Sequence, residues 1–341
     1  MKRNRFLILI LMFILLLIIQ KWLELNKKNF KLKRPIIYTE QSIYFSNQLN
    51  NSLLPKCDTY PKNLIGNKTN IFKNVSDLII PFSTNLNSNL TEDALKFFSN
   101  IDSGGQYEPK HCLANSRVGI IVPYRDREEN LKIFLYHMHP LLQRQEIKYT
   151  IFVVEQINSD KFNKGKLMNS AFVEVINKTK DFDCVVFHDV DLLPTDDLNL
   201  YSCPEKRPKH LSILVGKTDW RKYYPILVGG VLIFRLENFI KINGYSNRFW
   251  GWGAEDDDMY NRLQNSGVGF DRPVNNTVYE MLDHKPWQKN TNRVKVLKEG
   301  LAKFREEGLN TINYKLKGII KCPLFTHVLM DIGQENDTNK V

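Results

Sequence analysis

No two cysteines in this sequence are spaced C-x-x-C, and only five occur in 341 residues, at Cys57, Cys112, Cys184, Cys203 and Cys322. That scarcity excludes the clustered thiols of a zinc finger or ribbon and leaves disulfides as the expected use, with at least one thiol lacking an intrachain partner. Spacing alone leaves the pairing open. Acidic residues are outnumbered, giving a formal net charge of +11, yet no basic block concentrates the excess. The basic residues are scattered and many fall near the N-terminus, so a solvated or membrane-proximal surface is expected and a nucleic-acid partner is not. Also missing is a small-x-small cleavage site after the opening "MKRNRFLILILMFILLLIIQ".

In that opening, Lys2, Arg3 and Arg5 precede an unbroken apolar run from Phe6 to Ile19. As a helix the run spans about 21 Å, short of the ~30 Å of a bilayer core unless Gln20 to Leu25 extend it with Lys21 snorkelling outward. We expect an uncleaved signal-anchor over residues 6–25, a cytoplasmic tail of 1–5 and a lumenal remainder. Sequons at Asn50, Asn67, Asn74, Asn89, Asn177, Asn275 and Asn336 agree with a secretory compartment, each weakly in an Asn-rich chain.

From about residue 24 to 110 no sustained periodicity appears, and we read residues 26–56 as a stem. At Arg117 the text changes. "RVGIIVPYRDREENLKIFLYHMHPLLQRQ" reads as a buried strand, a turn with Pro123 and an amphipathic helix; "KYTIFVVEQ", "KGKLMNSAFVEVIN" and "DCVVFHDVDLLP" follow as strand, helix and strand. This alternation predicts an α/β fold with a mainly parallel central sheet flanked by helices, whose ligands bind at the carboxyl ends of the strands.

Asp189 and Asp191 stand where the third strand leaves that sheet. Residues two apart share a face of extended chain, so both carboxylates can meet one Mg²⁺ or Mn²⁺; ordinary turn acids at a strand end are the competing reading. Downstream, Gly229-Gly230 permits close backbone approach before an apolar strand. "WGWG", residues 250–253, sets two indoles on a glycine-flanked loop, fit either to stack on a sugar or to pack a core. Glu255, Asp256, Asp257 and Asp258 exceed what a helix N-terminus requires, and one of them is placed to act as a general base. Met281, Asp283 and His284 close the series; a thioether beside hard ligands is unusual, and core packing is its ordinary role.

In their order and spacing, "VPYRDRE", "FHDVDLLP", "GGV", "INGYSNRFWGWGAEDDDMYNRL", "MLDH" and "EEGLNTINY" resemble the β-1,4-galactosyltransferase family of Golgi glycosyltransferases, over residues 57–334. The resemblance implies a GT-A fold behind a membrane anchor and stem, a lumenal catalytic domain over 57–334 and a tail over 335–341. It implies a Golgi type II membrane enzyme that uses Mn²⁺ and a UDP-sugar and transfers with inversion to O4 of a terminal GlcNAc of glycoprotein or glycolipid glycans. On these positions Asp191, Met281 and His284 would hold the metal, and Asp256 would be the catalytic base. Pro123, Tyr124, Arg125, Arg127, Phe162, Lys164, Asp189, Val190, Lys217, Leu227 and Trp252 would contact the donor; Gly230, Glu255, Asp257 and Arg293 the acceptor. Cys57 would pair with Cys112 and Cys184 with Cys203.

The chain departs from the family pattern with Asp126 for Asn, Lys164 for Arg, and Val294 and Leu297 for Phe and Ile near the acceptor. The most informative departure is Leu227, where galactose-specific members carry Tyr. A smaller apolar residue leaves room for an N-acetyl group, so the expected donor is UDP-GalNAc, with galactose transfer from UDP-Gal as the alternative. A glycoside hydrolase would also use paired carboxylates but needs no metal set, and a membrane-tethered lectin would need no base.

Overall fold

The computed structural model describes residues 54–66, 98–158, 160–216, 226–273, 277–285 and 288–335. The anchor, most of the stem, Lys217 and every sequon but Asn177 lie outside them; among the described residues no helix is long and apolar enough to cross a membrane.

The core of the fold is legible in β2 (Arg117–Tyr124), buried along its length after the first residue. Val118, Ile120, Val122 and Tyr124 enter one apolar cluster and Ile121 the other, as the two-residue period of a strand requires. Helix α1 (Glu128–Arg144) covers the first face with Leu131, Phe134, Leu135, Met138, Leu141 and Leu142, the spacing of one helical stripe. The second face is covered by α2 (Lys164–Ala171), α3 (Leu236–Lys241) and α4 (Glu255–Asn265). Asn163 caps α2 by accepting from the Lys166 amide at 2.9 Å, and a π-helical turn, Phe172–Asn177, continues it.

Strands β3 (Lys148–Gln156) and β4 (Cys184–His188) flank β2 in parallel, and β11 (Thr326–Asp331) joins β3 in parallel. The rest of the sheet corrects the expectation of a mainly parallel one. β1 (Gln106–Tyr107) on β3, β10 (Lys315–Lys321) on β11, β8 (Val231–Arg235) on β4, and β6 (Lys209–His210) on β8 all pair antiparallel, so the sheet is mixed. A short turn must return β10 into β11 antiparallel. The direction of β8 depends on a long connection whose sequence has no period. A second, smaller sheet joins β5 (Leu192–Pro194), β9 (Val278–Met281) and β7 (Leu214–Val215).

Two further expectations are corrected. Pro123 lies within β2 and not in the turn; it stands beyond the last β2–β4 pairing, Ile121 with Phe187, where a missing N–H breaks no ladder to β4. The turn itself centres on Asp126 at φ 52°, a left-handed position that Asp tolerates. "DCVVFHDVDLLP" is two strands of different sheets, broken at the acids. Disulfides join Cys57 to Cys112 and Cys184 to Cys203, and Cys322 is a buried thiol.

Candidate active site

Where β4 ends, the Asp189 amide donates to the Gly230 carbonyl at 3.0 Å, tying the acid pair to the residue before β8. The two acids then diverge. Asp189 turns to Lys164, the first residue of α2, whose ammonium donates to its two carboxylate oxygens at 2.9 and 3.1 Å. Asp191 turns to His284, with Oδ2 2.7 Å from Nε2. The β5–β9 ladder makes that meeting possible: Leu192 is paired with Met281, and the Leu282 amide donates to the Asp191 carbonyl at 2.8 Å. Carboxylate and imidazole thus meet from positions distant in sequence, while Met281, on the neighbouring strand, packs against the apolar core. The hydrogen bond with Asp191 holds His284 above the ordinary imidazole range. Arg127 crosses the same corner, donating to the Lys285 carbonyl at 2.7 Å. Another set of metal-ligand residue types, Cys57, Cys112 and Glu146, has both sulfurs in a disulfide and offers no thiolate.

Lys164 also approaches Glu255 at 3.8 Å and Asp256 at 3.7 Å, both on the first turn of α4. Burial would lower a lone ammonium, but Asp189, Asp256 and Glu255 together hold Lys164 well above the ordinary lysine range. Burial raises the acids in turn. Asp189 rises to about 6, with Lys164 opposing; Glu255 rises to about 7 from burial and the neighbouring Asp256; Asp256 rises from burial, again against Lys164. Three carboxylates on one cation form a site that can take up a proton near neutral pH. Asp258, the last of the four acids, belongs to the core: it pairs at 2.6 Å with the fully buried Arg262, which also reaches Glu307.

Gly229 has a specific reason to be glycine. A Cβ there would collide with the Asp256 carboxylate, and its φ lies outside the left-handed region, so space and not backbone strain excludes a side chain. Its carbonyl accepts from His210 Nε2 at 2.8 Å and from the Ser212 hydroxyl at 2.9 Å. Gly230, at φ 85°, needs glycine for its backbone as well. Leu227 is half-buried, and its carbonyl accepts from Arg272 at 2.7 Å.

The indoles divide between the two readings. Trp250 is buried in the core, whereas Trp252 is 53% exposed, flanked by Gly251 and Gly253 at φ 86° and 112°. Trp252 is bonded through its backbone to Gln288 and Asn290, and the Arg293 guanidinium, at the start of α5 (Arg293–Lys303), lies 5.8 Å from its ring centre. At the end of β2, Pro123 and Tyr124 lead to Arg125, which donates to the Asp160 carbonyl at 2.7 Å and stacks on Phe162. The Val190 side chain is buried in the core between the two acids, and Asp257 is half-buried on α4. Sequence reading missed His210, Ser212 and Arg272, which hold the backbone of the 227–230 segment; a lone His, Ser or Arg in unpatterned chain carries no signal.

A mixed α/β sheet with an acid pair beyond a central strand, faced by a helix N-terminus rich in carboxylates, is the architecture of GT-A-like glycosyltransferases. A family model described as the N-terminal region of glycosyl transferase group 7 matches residues 73–204, and one described as the N-terminal domain of galactosyltransferase matches 209–285. The chain is 40% identical to beta-1,4-galactosyltransferase 1 of Mus musculus over 68% of its own length and 59% of that protein's. It is 41% identical to beta-1,4-galactosyltransferase 4 of Homo sapiens, covering 67% of each chain. It thus spans about three-fifths to two-thirds of the length of these relatives. A crystal structure of the catalytic domain of Drosophila beta1,4galactosyltransferase 7 with xylobiose superposes with a TM-score of 0.58 at 28% identity, covering 66% of this chain and 98% of that one. A mutant of the same enzyme, in complex with manganese, UDP-Gal and xylobiose, superposes at 0.56. The chain belongs to the β-1,4-galactosyltransferase family.

Proposed function

We propose that this chain is an inverting glycosyltransferase that moves a sugar from a UDP-sugar to O4 of a terminal β-linked GlcNAc, with UDP-GalNAc as the preferred donor. The convergence of Asp189, Glu255 and Asp256 on Lys164, together with Asp191, two residues after Asp189, meeting His284, supports this reading. Oxygen and imidazole donors fit Mn²⁺, and a thioether on the neighbouring strand does not exclude it. Asp191, Met281 and His284 would hold the ion, which when bound supplies positive charge against the departing diphosphate.

The protein's own part is positioning and proton transfer. Asp256, pressed on Gly229 and with Lys164 favouring its charged form, takes the proton from the acceptor O4 as that oxygen bonds to the anomeric carbon and the bond to UDP breaks. A single in-line displacement inverts the centre. Glu255 and Asp257, on the same helical turn, hold the sugars. Tyr124, Arg125, Arg127, Phe162 and Val190 border the nucleotide, and Lys217 joins them in this reading although it lies outside the described residues. Trp252, between two glycines, closes over the donor while Arg293 meets the acceptor's N-acetyl group.

Donor choice rests on Leu227, whose fixed backbone lets its side chain set the room at C2. Galactose transfer is the second reading, favoured by the names of the relatives and by the UDP-Gal in the Drosophila complex. The same proposal makes the chain a Golgi type II membrane protein with residues 6–25 as anchor and 57–334 as catalytic domain, and gives it no nucleic-acid partner. The test compares kcat/KM for UDP-GalNAc and UDP-Gal with Mn²⁺ and a β-linked GlcNAc acceptor, in the natural chain and in Leu227→Tyr. Preference for UDP-GalNAc that moves towards UDP-Gal in the variant supports the reading. An unchanged ratio would remove Leu227 from it, and absence of transfer from both donors would remove the activity.

A further inference from the structure

Behind the acid pair runs an unbroken line of hydrogen bonds between buried side chains. His188, the last residue of β4, sets Nδ1 2.9 Å from the Asp189 carbonyl and Nε2 2.8 Å from the Tyr201 hydroxyl. That hydroxyl lies 3.0 Å from the Tyr279 hydroxyl, which accepts from Asn199 Nδ2 at 2.8 Å. All four side chains are buried.

One end fixes the direction of the whole line. A carbonyl only accepts, so Nδ1 carries the proton. Burial keeps the imidazole neutral, drawing its pKa down to about 4, so Nε2 is an acceptor and Tyr201 must donate to it. The Tyr201 oxygen then takes its hydrogen bond from Tyr279, and Tyr279 takes its own from the Asn199 amide. No member can reverse without placing a lone pair against a lone pair.

What the line joins gives it meaning. Asp189 follows His188 directly and Asp191 comes two residues later, while Tyr279 shares strand β9 with Met281, two residues on, and points to the same side. Helix α1 braces the same structure through His137, bonded at 2.7 Å to the carbonyl of Pro194, and Gln145, the residue that caps its C-terminus, accepts from the Tyr201 amide at 2.9 Å. Apolar side chains of the same shape would fill this volume at little cost in stability, so burial alone gives no reason for four matched polar groups.

We propose that the line Asn199, Tyr279, Tyr201, His188 is a positioning network that fixes the Asp189-Val190-Asp191 segment against β9, which bears Met281 and leads to His284, and so sets the affinity of this chain for a divalent cation. The proposal rests on the reading of Asp191, Met281 and His284 as cation ligands.

The test measures binding of Mn²⁺ alone to the full chain, without donor or acceptor, from the electron paramagnetic resonance of the free ion. Tyr201→Phe and Tyr279→Phe each remove one oxygen and keep the ring. Each is expected to weaken Mn²⁺ binding by about tenfold or more, as loss of an outer partner of metal ligands does, while kcat at saturating Mn²⁺ changes far less. Affinities within twofold of the natural chain in both variants overturn the proposal, whatever happens to melting temperature. Nitrogen-15 spectra of the natural chain give a reading that needs no variant to fold: His188 is expected as the neutral tautomer protonated at Nδ1, and an imidazolium or an Nε2-protonated ring overturns the network. Asp191→Asn separates the two levels of inference. If it leaves Mn²⁺ binding intact, the ligand reading fails and the network falls with it; if it abolishes binding while the Phe variants do not weaken it, the network alone is refuted.

Discussion

Gly229→Ala puts one carbon where the structure holds the Asp256 carboxylate. The backbone at 229 suits any L residue, so the methyl group brings no torsional strain and its whole effect is steric. Ordinary contact between carbon and oxygen is about 3.4 Å, and the built carbon lies far inside it, so the carboxylate must move by about 1 Å or more. Gly229 cannot move instead, because its carbonyl is held by both His210 and Ser212. A displacement of that size at a proton-accepting group costs about 10²-fold in rate, or about 2.7 kcal/mol of barrier at 1.36 kcal/mol per decade. Overpacking adds about 1–3 kcal/mol of lost stability. The assay is kcat for sugar transfer, measured beside UDP binding in the presence of Mn²⁺ and beside Asp256→Asn. We expect Gly229→Ala to bind UDP as the natural chain does and to lose kcat in the same sense as Asp256→Asn. A folded Gly229→Ala chain with kcat within threefold of the natural one would refute the placement of Asp256, and with it the mechanism built on that placement.

Glu255 titrates at about 7 in the fold against an ordinary ~4.5, so the folded state holds this proton more tightly than the unfolded one. Its stabilising contribution is complete below about pH 4.5 and lost as pH rises through about 7, an effect on the order of 3 kcal/mol. The cation-free chain should therefore melt higher at pH 6.5 than at pH 8 in calorimetry, by about a degree or two, and Glu255→Gln should flatten that slope; a melting temperature that rises from pH 6.5 to pH 8 contradicts the burial of the cluster. Lys164→Met removes the charge that opposes protonation of Asp189 and Asp256, so the acid limb of the kcat/KM profile should move to higher pH, while Lys164→Arg should leave it near its natural position. Phe187→Ala empties a site buried from β4 against Phe234, Phe239 and Tyr245 and should cost about 3–5 kcal/mol in urea titration. A loss below ~1 kcal/mol would show that the cluster is loosely packed.

What could be read from sequence followed from local periods. β2, α1, β3 and β4 lie where their patterns put them, because a two-residue or 3.6-residue period belongs to the element itself. The orientation of β8 could not be read, since it depends on the path of the chain between Asp189 and Gly230. The acid pair was placed correctly beyond β4, but its divergence was not, because Lys164 and His284 come to it through tertiary packing. In "WGWG" and "EDDD" sequence offered two readings of each segment, and neighbours divide: Trp250 and Asp258 serve the core, while Trp252 is exposed and Glu255 and Asp256 face Lys164. Adjacent residues on a turn or helix point in different directions, so a motif need not have one role.

The short ladder between β5 and β9 carries a consequence for how this chain can change. Asp191 meets His284 only because Leu192 lies opposite Met281, in a pairing that runs for three residues. Moving β9 along by one position would turn Met281 to the opposite face of the small sheet, and moving β5 would do the same to the residues that follow Asp191. Inserting or deleting one residue within 192–194 or 278–281 should thus destroy the site outright, even with every side chain of the motif present. Residues added to the connection between the two strands, well away from the pairing, should be absorbed at small cost. Alignments that score the motif letters alone would count both kinds of change as harmless.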